Sequence, residues 1–395
     1  MKKLVSTLLC VLLVAGLLTG CTGAPAAADV KTEAADSSAS AGSAENSTEN
    51  AVEPAAPDDA AMQEKLNTTL YIGCSFETFD NPYLVTFDKG CQLFCKYLDS
   101  IGQKYEYTCM LNEGNSEKQI NDINALLAKS GGNAIFFIDP NEAAIVSVLA
   151  EAVNDAGAFM CTTWTKPEDL DVWDYDGWVA HHSPDDVTMG YKSAIQMFES
   201  LPTPGQGKIV ALQGNLGHTT ANNRYLGLEK ALKEYPGIEL VAVESAKWMA
   251  PEALSIMETW LAKYDDIDGV WCANDNMAMG AIQALQAKGL AGKVKVCGIN
   301  AIPTAIDYIE DGTMAATVDC NGWGQGGYSL AMCYLAWTGQ TDVPSLPHDQ
   351  RLFATESIFV NSSNVAEYKA TYVDNEPTLD FEHPYEAFVY GPYVS

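Results

Sequence analysis

Basic residues are scarce in this chain of 395 residues: 22 Lys and Arg stand against 52 Asp and Glu, a net charge of −30. That imbalance excludes nucleic acid as a partner, because the phosphate backbone repels an acidic surface. It equally excludes a basic patch that would attach the chain to anionic lipid. A small ligand, uncharged or cationic, is what such a surface admits. Catalytic motifs are missing too: the chain has no G-x-S-x-G, S-x-x-K, G-x-x-x-x-G-K or H-E-x-x-H. Its five His are scattered apart from His181 and His182, which as neighbours at a strand end point to opposite faces. There is no C-x-x-C, and no Cys–His set has zinc spacing. Asp174-Tyr175-Asp176-Gly177 reads as a solvated acidic turn, since Val172 and Ser183 stand at the first and last ligand positions of a calcium loop. The absences together predict no enzyme, no cofactor and no metal.

Long apolar runs are almost absent as well, and the longest lies at the start. Met1-Lys2-Lys3 is charged, Leu4 to Leu18 is nearly all apolar, and Leu18-Thr19-Gly20-Cys21 follows. A basic end, a short apolar run and small residues form a secretory signal that is too short for a spanning helix. Its last four residues resemble a bacterial lipobox. Residues 1–20 are therefore expected to be a signal peptide, with Cys21 the lipid-bearing first residue of the mature chain. Residues 22–65 contain no aromatic residue and carry 9 acids against 2 Lys. A segment of that composition buries too little apolar surface to offset its ordering entropy. Residues 21–65 are expected to be a tether that holds a globular body off a membrane.

Aromatics are not lacking in the remainder: 8 Trp and 18 Tyr supply ample core. Setting Cys10 and Cys21 aside leaves nine Cys, an odd number, mostly inside apolar strand-like runs. Cys91 and Cys95 are four apart, hence on one helix face, where a mutual disulfide has poor geometry. Buried free thiols are the expectation. From residue 69 apolar strands alternate with amphipathic helices. Strands are expected at Leu70–Ser75, Tyr105–Leu111, Ala134–Ile138, Ala158–Thr163 and Trp178–His182, and Ser116-x-x-Gln119 reads as a capping box. The same grammar restarts with Lys208–Gln213, Ile238–Glu244, Gly269–Ala273, Lys293–Ile299 and Ala315–Asp319. This alternation implies an α/β fold of two parallel-sheet lobes with a cleft between them.

In open α/β sheets ligands bind beyond the carboxyl ends of the strands. Those ends carry amides and aromatics: Asn81, Trp164, Asn222, Trp248, Asn274 and Asn300. Aromatic faces stack on sugar C–H surfaces or cations, and amides both donate and accept, which suits hydroxyls.

Five segments, in order, carry a family resemblance: Thr78-Phe79-Asp80-Asn81-Pro82-Tyr83, Lys118-Gln119-Ile120-Asn121-Asp122, the run from Gly207 to Gly214, the run from Asn274 to Ala281, and the run from Asp311 to Val318. Over residues 69–340 the chain resembles the ribose- and galactose-type substrate-binding proteins of ABC transporters. The resemblance implies two doubly wound lobes joined by three crossovers that close on a ligand. By its pattern, residues 66–183 and 321–350 form the first lobe, and residues 184–320 with 351–395 the second. Carried over position by position, Asn81, Tyr83, Trp248 and Asn274 keep amide and aromatic roles. Trp164-Thr165 stand where ribose-type proteins have an Asp–Arg pair, while Asn222 replaces an Arg, Asn300 an Asp and Cys320 a Gln. The expected site is thus stripped of its charged clamps. The expected function is an anchored monomeric receptor that delivers a neutral sugar-like ligand to an ABC permease. A sensory receptor subunit and a binder of nucleoside-like ligands are the alternatives.

Overall fold

A computed structural model describes residues 59–393, so the signal segment, Cys21 and most of the tether lie outside the described residues. The expected end of the tether at residue 65 moves back, because Asp59–Asn67 is already helical. Contacts with the body hold that helix. Gln103 donates to the Lys65 and Thr68 carbonyls at 3.2 and 2.9 Å, and the Lys65 ammonium lies 4.2 Å from the centre of the Trp337 ring. Among the described residues no helix is long and apolar enough to cross a membrane.

The first lobe is built on β1 (Leu70–Phe76), β2 (Tyr105–Leu111), β3 (Ala134–Ile138), β4 (Phe159–Thr163) and β5 (Trp178–Pro184). These strands are parallel, in the order β5-β4-β3-β1-β2. The apolar run of β3 shows why both faces must be covered. Ile135 and Phe137 join one core, with Phe87, Phe94 and Leu330. Ala134, Phe136 and Ile138 join another, with Ile123, Leu127 and Leu149. The period-two alternation of a strand sends successive side chains to two helix layers. The second lobe repeats the plan with β6 (Gly207–Gln213), β7 (Ile238–Ser245), β8 (Gly269–Cys272), β9 (Lys295–Cys297) and β10 (Met314–Asp319), parallel in the order β10-β9-β8-β6-β7.

Three later strands complete the sheets and correct the expected lobe boundary. β11 (Leu352–Thr355) pairs parallel with β5 in the first sheet, and β12 (Ile358–Asn361) pairs antiparallel with β10 in the second. The chain therefore crosses between lobes after β5, after β10 and between β11 and β12. It then returns once more: β13 (Gly391–Pro392) pairs antiparallel with β11. Residues 351–395 were expected in the second lobe, but this segment is shared. Phe381 packs edge-on to Phe94 at 5.4 Å, and Phe388 packs on Phe353 at 5.7 Å. β11 would otherwise be an uncovered edge, and the short β13 closes it.

Two local expectations change in detail. Helix Ser116–Ser130 is capped by Asn115, whose side chain accepts from the Lys118 N–H at 2.9 Å, so Ser116 is its first residue rather than its cap. Gln119 is spent elsewhere, as described below. All nine described cysteines are free. Cys74 and Cys91 approach to 3.2 Å between sulfurs, and Cys161 and Cys333 to 3.6 Å.

Candidate functional site

The carboxyl ends of strands from both sheets converge on a cavity between them. From the first lobe it is lined by Glu77 and Asn81 after β1, Tyr83, Leu84 and Phe87 on the following helix, Asp139 after β3, and Trp164 and Thr165 after β4. The second lobe adds His218, Thr220 and Arg224 after β6, Trp248 after β7, Asn274 after β8 and Asn300 after β9. Bonds between the lobes hold it shut. The Thr220 hydroxyl donates to the Trp164 carbonyl at 3.3 Å, that of Thr219 to the Lys166 carbonyl at 3.1 Å, and the Asn276 amide to the Asp80 carbonyl at 3.3 Å.

Six of the eight expected site residues therefore line one cavity, and two do not. Asn222 is exposed, its amide donating weakly to the Leu216 carbonyl at 3.4 Å. Cys320 is fully buried behind the wall, its sulfur 3.8 Å from the Asn300 amide and 3.5 Å from the Met189 sulfur.

The two tryptophans reach the cavity through strained backbone. Trp164 and Trp248 have φ of 65° and 68°, and Asn300 has φ of 121°. Left-handed backbone costs a non-glycine residue roughly 1–2 kcal/mol, and such strain collects at functional sites. Trp248 lies across Gly214, where an added Cβ would sit 2.1 Å from the indole, so only glycine leaves room for the ring. Its indole N–H donates to His218 Nδ1 at 3.0 Å. That bond makes Nδ1 an acceptor and leaves the ring proton on Nε2. Desolvation agrees, pushing His218 down to about 4. Trp164 donates to Gln325 Oε1 at 2.5 Å and stands edge-on to Tyr83 at 5.7 Å.

Charge is not absent from the site, contrary to the sequence expectation. The Arg224 guanidinium carbon lies 4.5 Å from the Trp164 ring centre and 5.6 Å from that of Trp248, so it is sandwiched by cation–π contacts. It is bonded to buried Asp186 at 2.9 Å and to the Ala273 carbonyl at 2.7 Å. Glu77 and Asp139 bring two carboxyls to the first-lobe wall. Burial pushes Asp139 well above the usual carboxylate range, with Glu77 adding to it. Burial and then Glu113 raise Glu77. Gln119 fixes the Asp139 turn: its amide donates to the Ser75 hydroxyl and the Asp139 carbonyl, both at 2.9 Å, and accepts from the Asn141 N–H at 2.8 Å.

Glu77, Asp139 and Arg224 were all missed by sequence reasoning, which counted only amides and aromatics at the strand ends. Glu77 and Asp139 follow β1 and β3 directly, so an inventory of strand ends that included carboxylates would have found them. Arg224 lies two residues past Asn222, on the buried rather than the solvent face of the same helix.

Some polar atoms of the lining remain unspent. Thr165 Oγ1 and a terminal nitrogen of Arg224 are buried without a hydrogen-bond partner. A buried polar group without a partner costs about 1–3 kcal/mol. Walls that combine such atoms with two indoles can satisfy hydroxyls at their edges and pack C–H surface at their faces. Among the described residues, no group of three or more His, Cys, Asp or Glu is placed to hold a metal ion.

Two α/β lobes that close over a cavity at their strand ends define a solute receptor. Residues 72–341 match the family described as periplasmic binding protein domain, and the chain belongs to that family. A solved structure of a twin-arginine translocation pathway signal protein from Burkholderia phytofirmans is 40% identical, with a TM-score of 0.78; the match covers 83% of this chain and 99% of that one. The xylitol-binding protein of Mycolicibacterium smegmatis is 37% identical over 140 residues, 35% of this chain and 39% of that protein. The D-allose-binding periplasmic protein of Escherichia coli is 30% identical over 62% of this chain and 77% of its own length. Both relatives are named as solute-binding proteins, and the family's description places it outside the cytoplasm.

Proposed function

We propose that this chain captures a small polyhydroxylated ligand in the cavity between its lobes and delivers it to an ABC permease, while a lipid on Cys21 keeps it at the membrane. One observation carries the reading of the ligand. Two residues with a buried polar atom lacking a partner, Thr165 and Arg224, and two indoles on strained backbone line one cavity, and hydroxyl groups on a compact carbon frame satisfy both. Xylitol- and D-allose-binding proteins among the relatives support the same class.

Asn81, Tyr83, Trp164, Trp248, Asn274 and Asn300 are proposed to contact the ligand, joined by Arg224, Asp139 and Glu77. Asn274 acts chiefly as a positioning group. Its oxygen caps helix Asp275–Ala287 at the Met277 N–H and its nitrogen donates to the Trp248 carbonyl. A ligand that binds only the native state raises apparent stability by about 2.7 kcal/mol at a hundredfold excess over Kd. A thermal-shift screen of sugars and polyols is expected to give hits; hits confined to amino acids or peptides contradict the reading. Fatty-acid labelling is expected to mark the chain and to be lost in Cys21→Ala, and retained label contradicts the anchor.

A further inference from the structure

The acid wall makes the ligand more specific. Glu77 and Asp139 line the cavity from the first lobe, and no ion pair is formed by either carboxyl. Arg224, the cation in the lining, is already bonded to Asp186 across 2.9 Å on the other lobe. Burial, and then Glu77, push Asp139 up. Among the described residues, the site therefore holds two carboxyls with no protein cation paired to them. Two carboxyls alone would be only an acidic corner. This corner opens into the same cavity as Arg224 and Thr165, each 1% exposed and each with a polar atom lacking a partner.

We infer that Glu77 and Asp139 form a subsite for a protonated amine, so that the ligand is an amino-polyol or amino sugar rather than a neutral sugar. The inference rests on the polyol reading above and sharpens it. An ammonium group brings three donors and one positive charge, which answers two carboxyls better than a hydroxyl with its single donor. Bonds between charged partners are about twice as strong as neutral ones. The Tyr83 ring in the same lining favours a cation over an anion. The overall charge of −30 favours approach by a cation too. Gln119 holds the backbone at Asp139 through three bonds, so the carboxyl is presented from a fixed turn.

Calorimetric titration of the full chain with matched pairs tests this: glucosamine against glucose, and 1-amino-1-deoxyglucitol against glucitol. The amine of at least one pair is expected to bind at least tenfold tighter than its hydroxyl counterpart at pH 7. Asp139→Asn is expected to cut that preference to twofold or less, and Glu77→Gln to reduce it by a smaller factor. Melting of each variant without ligand checks that it is folded. If the hydroxyl member binds as tightly as the amine or tighter, the inference is overturned while the polyol reading stands. A preference that survives in both folded variants overturns the assigned subsite. If no polyol of either kind binds and amino acids do, the polyol reading falls and takes the inference with it.

Discussion

The two walls of the cavity differ in what they have already spent. On the second-lobe wall nearly every polar group is committed: Arg224 to Asp186 and Ala273, His218 to Trp248, and Asn274 to Met277 and Trp248. It is a preassembled frame with a few atoms left over. Asp139 and Glu77 on the first-lobe wall are held by their backbone, and their carboxyls are left for whatever enters. Loss on the second-lobe wall should thus damage fold and binding together, whereas loss of the Glu77 or Asp139 carboxyl on the first should damage binding alone or even relieve the ligand-free protein.

The largest effect that separates the walls is expected at Arg224. Arg224→Met leaves Asp186 buried without its partner, and breaking a buried pair this way costs about 3–5 kcal/mol. Urea denaturation should show that loss without ligand; a midpoint unchanged from the parent would mean that the second-lobe frame is not held by this pair. Next comes Trp248. Trp248→Ala is expected to weaken binding of a screened polyol at least tenfold, about 1.4 kcal/mol. Gly214→Ala should act in the same direction by pushing the ring aside, because the added carbon and the indole cannot both fit. Trp164→Ala should lower both affinity and unliganded stability, since that ring also ties Gln325 and Tyr83.

Acid and base should also tell the buried imidazoles from the two wall carboxyls. His218 is held down to about 4 and His182 to about 3, with His181 lowered as well, all by desolvation. The unfolded chain binds protons that these native imidazoles refuse, so stability should fall as pH drops from about 6.5 towards 4. Glu77 and Asp139 work in the other sense. Their raised pKa values make the native state the better proton binder, so their contribution is present at low pH and is lost as pH rises above about 4. Asp139→Asn should therefore raise the melting temperature of the ligand-free protein at pH 8 more than at pH 4. An equal shift at both would show that Asp139 is not strained by burial. The smallest effect is expected at Asn222: on the exposed face, Asn222→Ala should change stability by no more than about 0.5 kcal/mol and leave affinity within twofold.

The fold was legible because each strand of the first lobe declares itself locally. The run Ala134–Ile138 is apolar at every position, and the strand occupies that same range. The last 45 residues were less legible. β11, β12 and β13 are four, four and two residues long and belong to alternate sheets, so pairing with distant partners, rather than local pattern, decides where they go. In the site, strand-end position pointed to Trp164 and Trp248, and both line the cavity. Burial and orientation are set by tertiary packing, and they separate Arg224 from Asn222 on a single helix. Counting amides there pointed to the solvent side of helix Thr219–Glu234, where one turn holds both the exposed Asn and the arginine of the cavity lining.

The most direct test is a titration of tryptophan fluorescence in the full chain with a polyol or amino-polyol from the thermal-shift screen, repeated in Trp248→Phe. Closure on a ligand seated against Trp164 and Trp248 predicts a saturable change that follows the calorimetric isotherm and is largely lost in the variant. A ligand that binds by calorimetry yet leaves the fluorescence of both proteins unchanged would place it elsewhere, and would contradict the cavity between the lobes as the site.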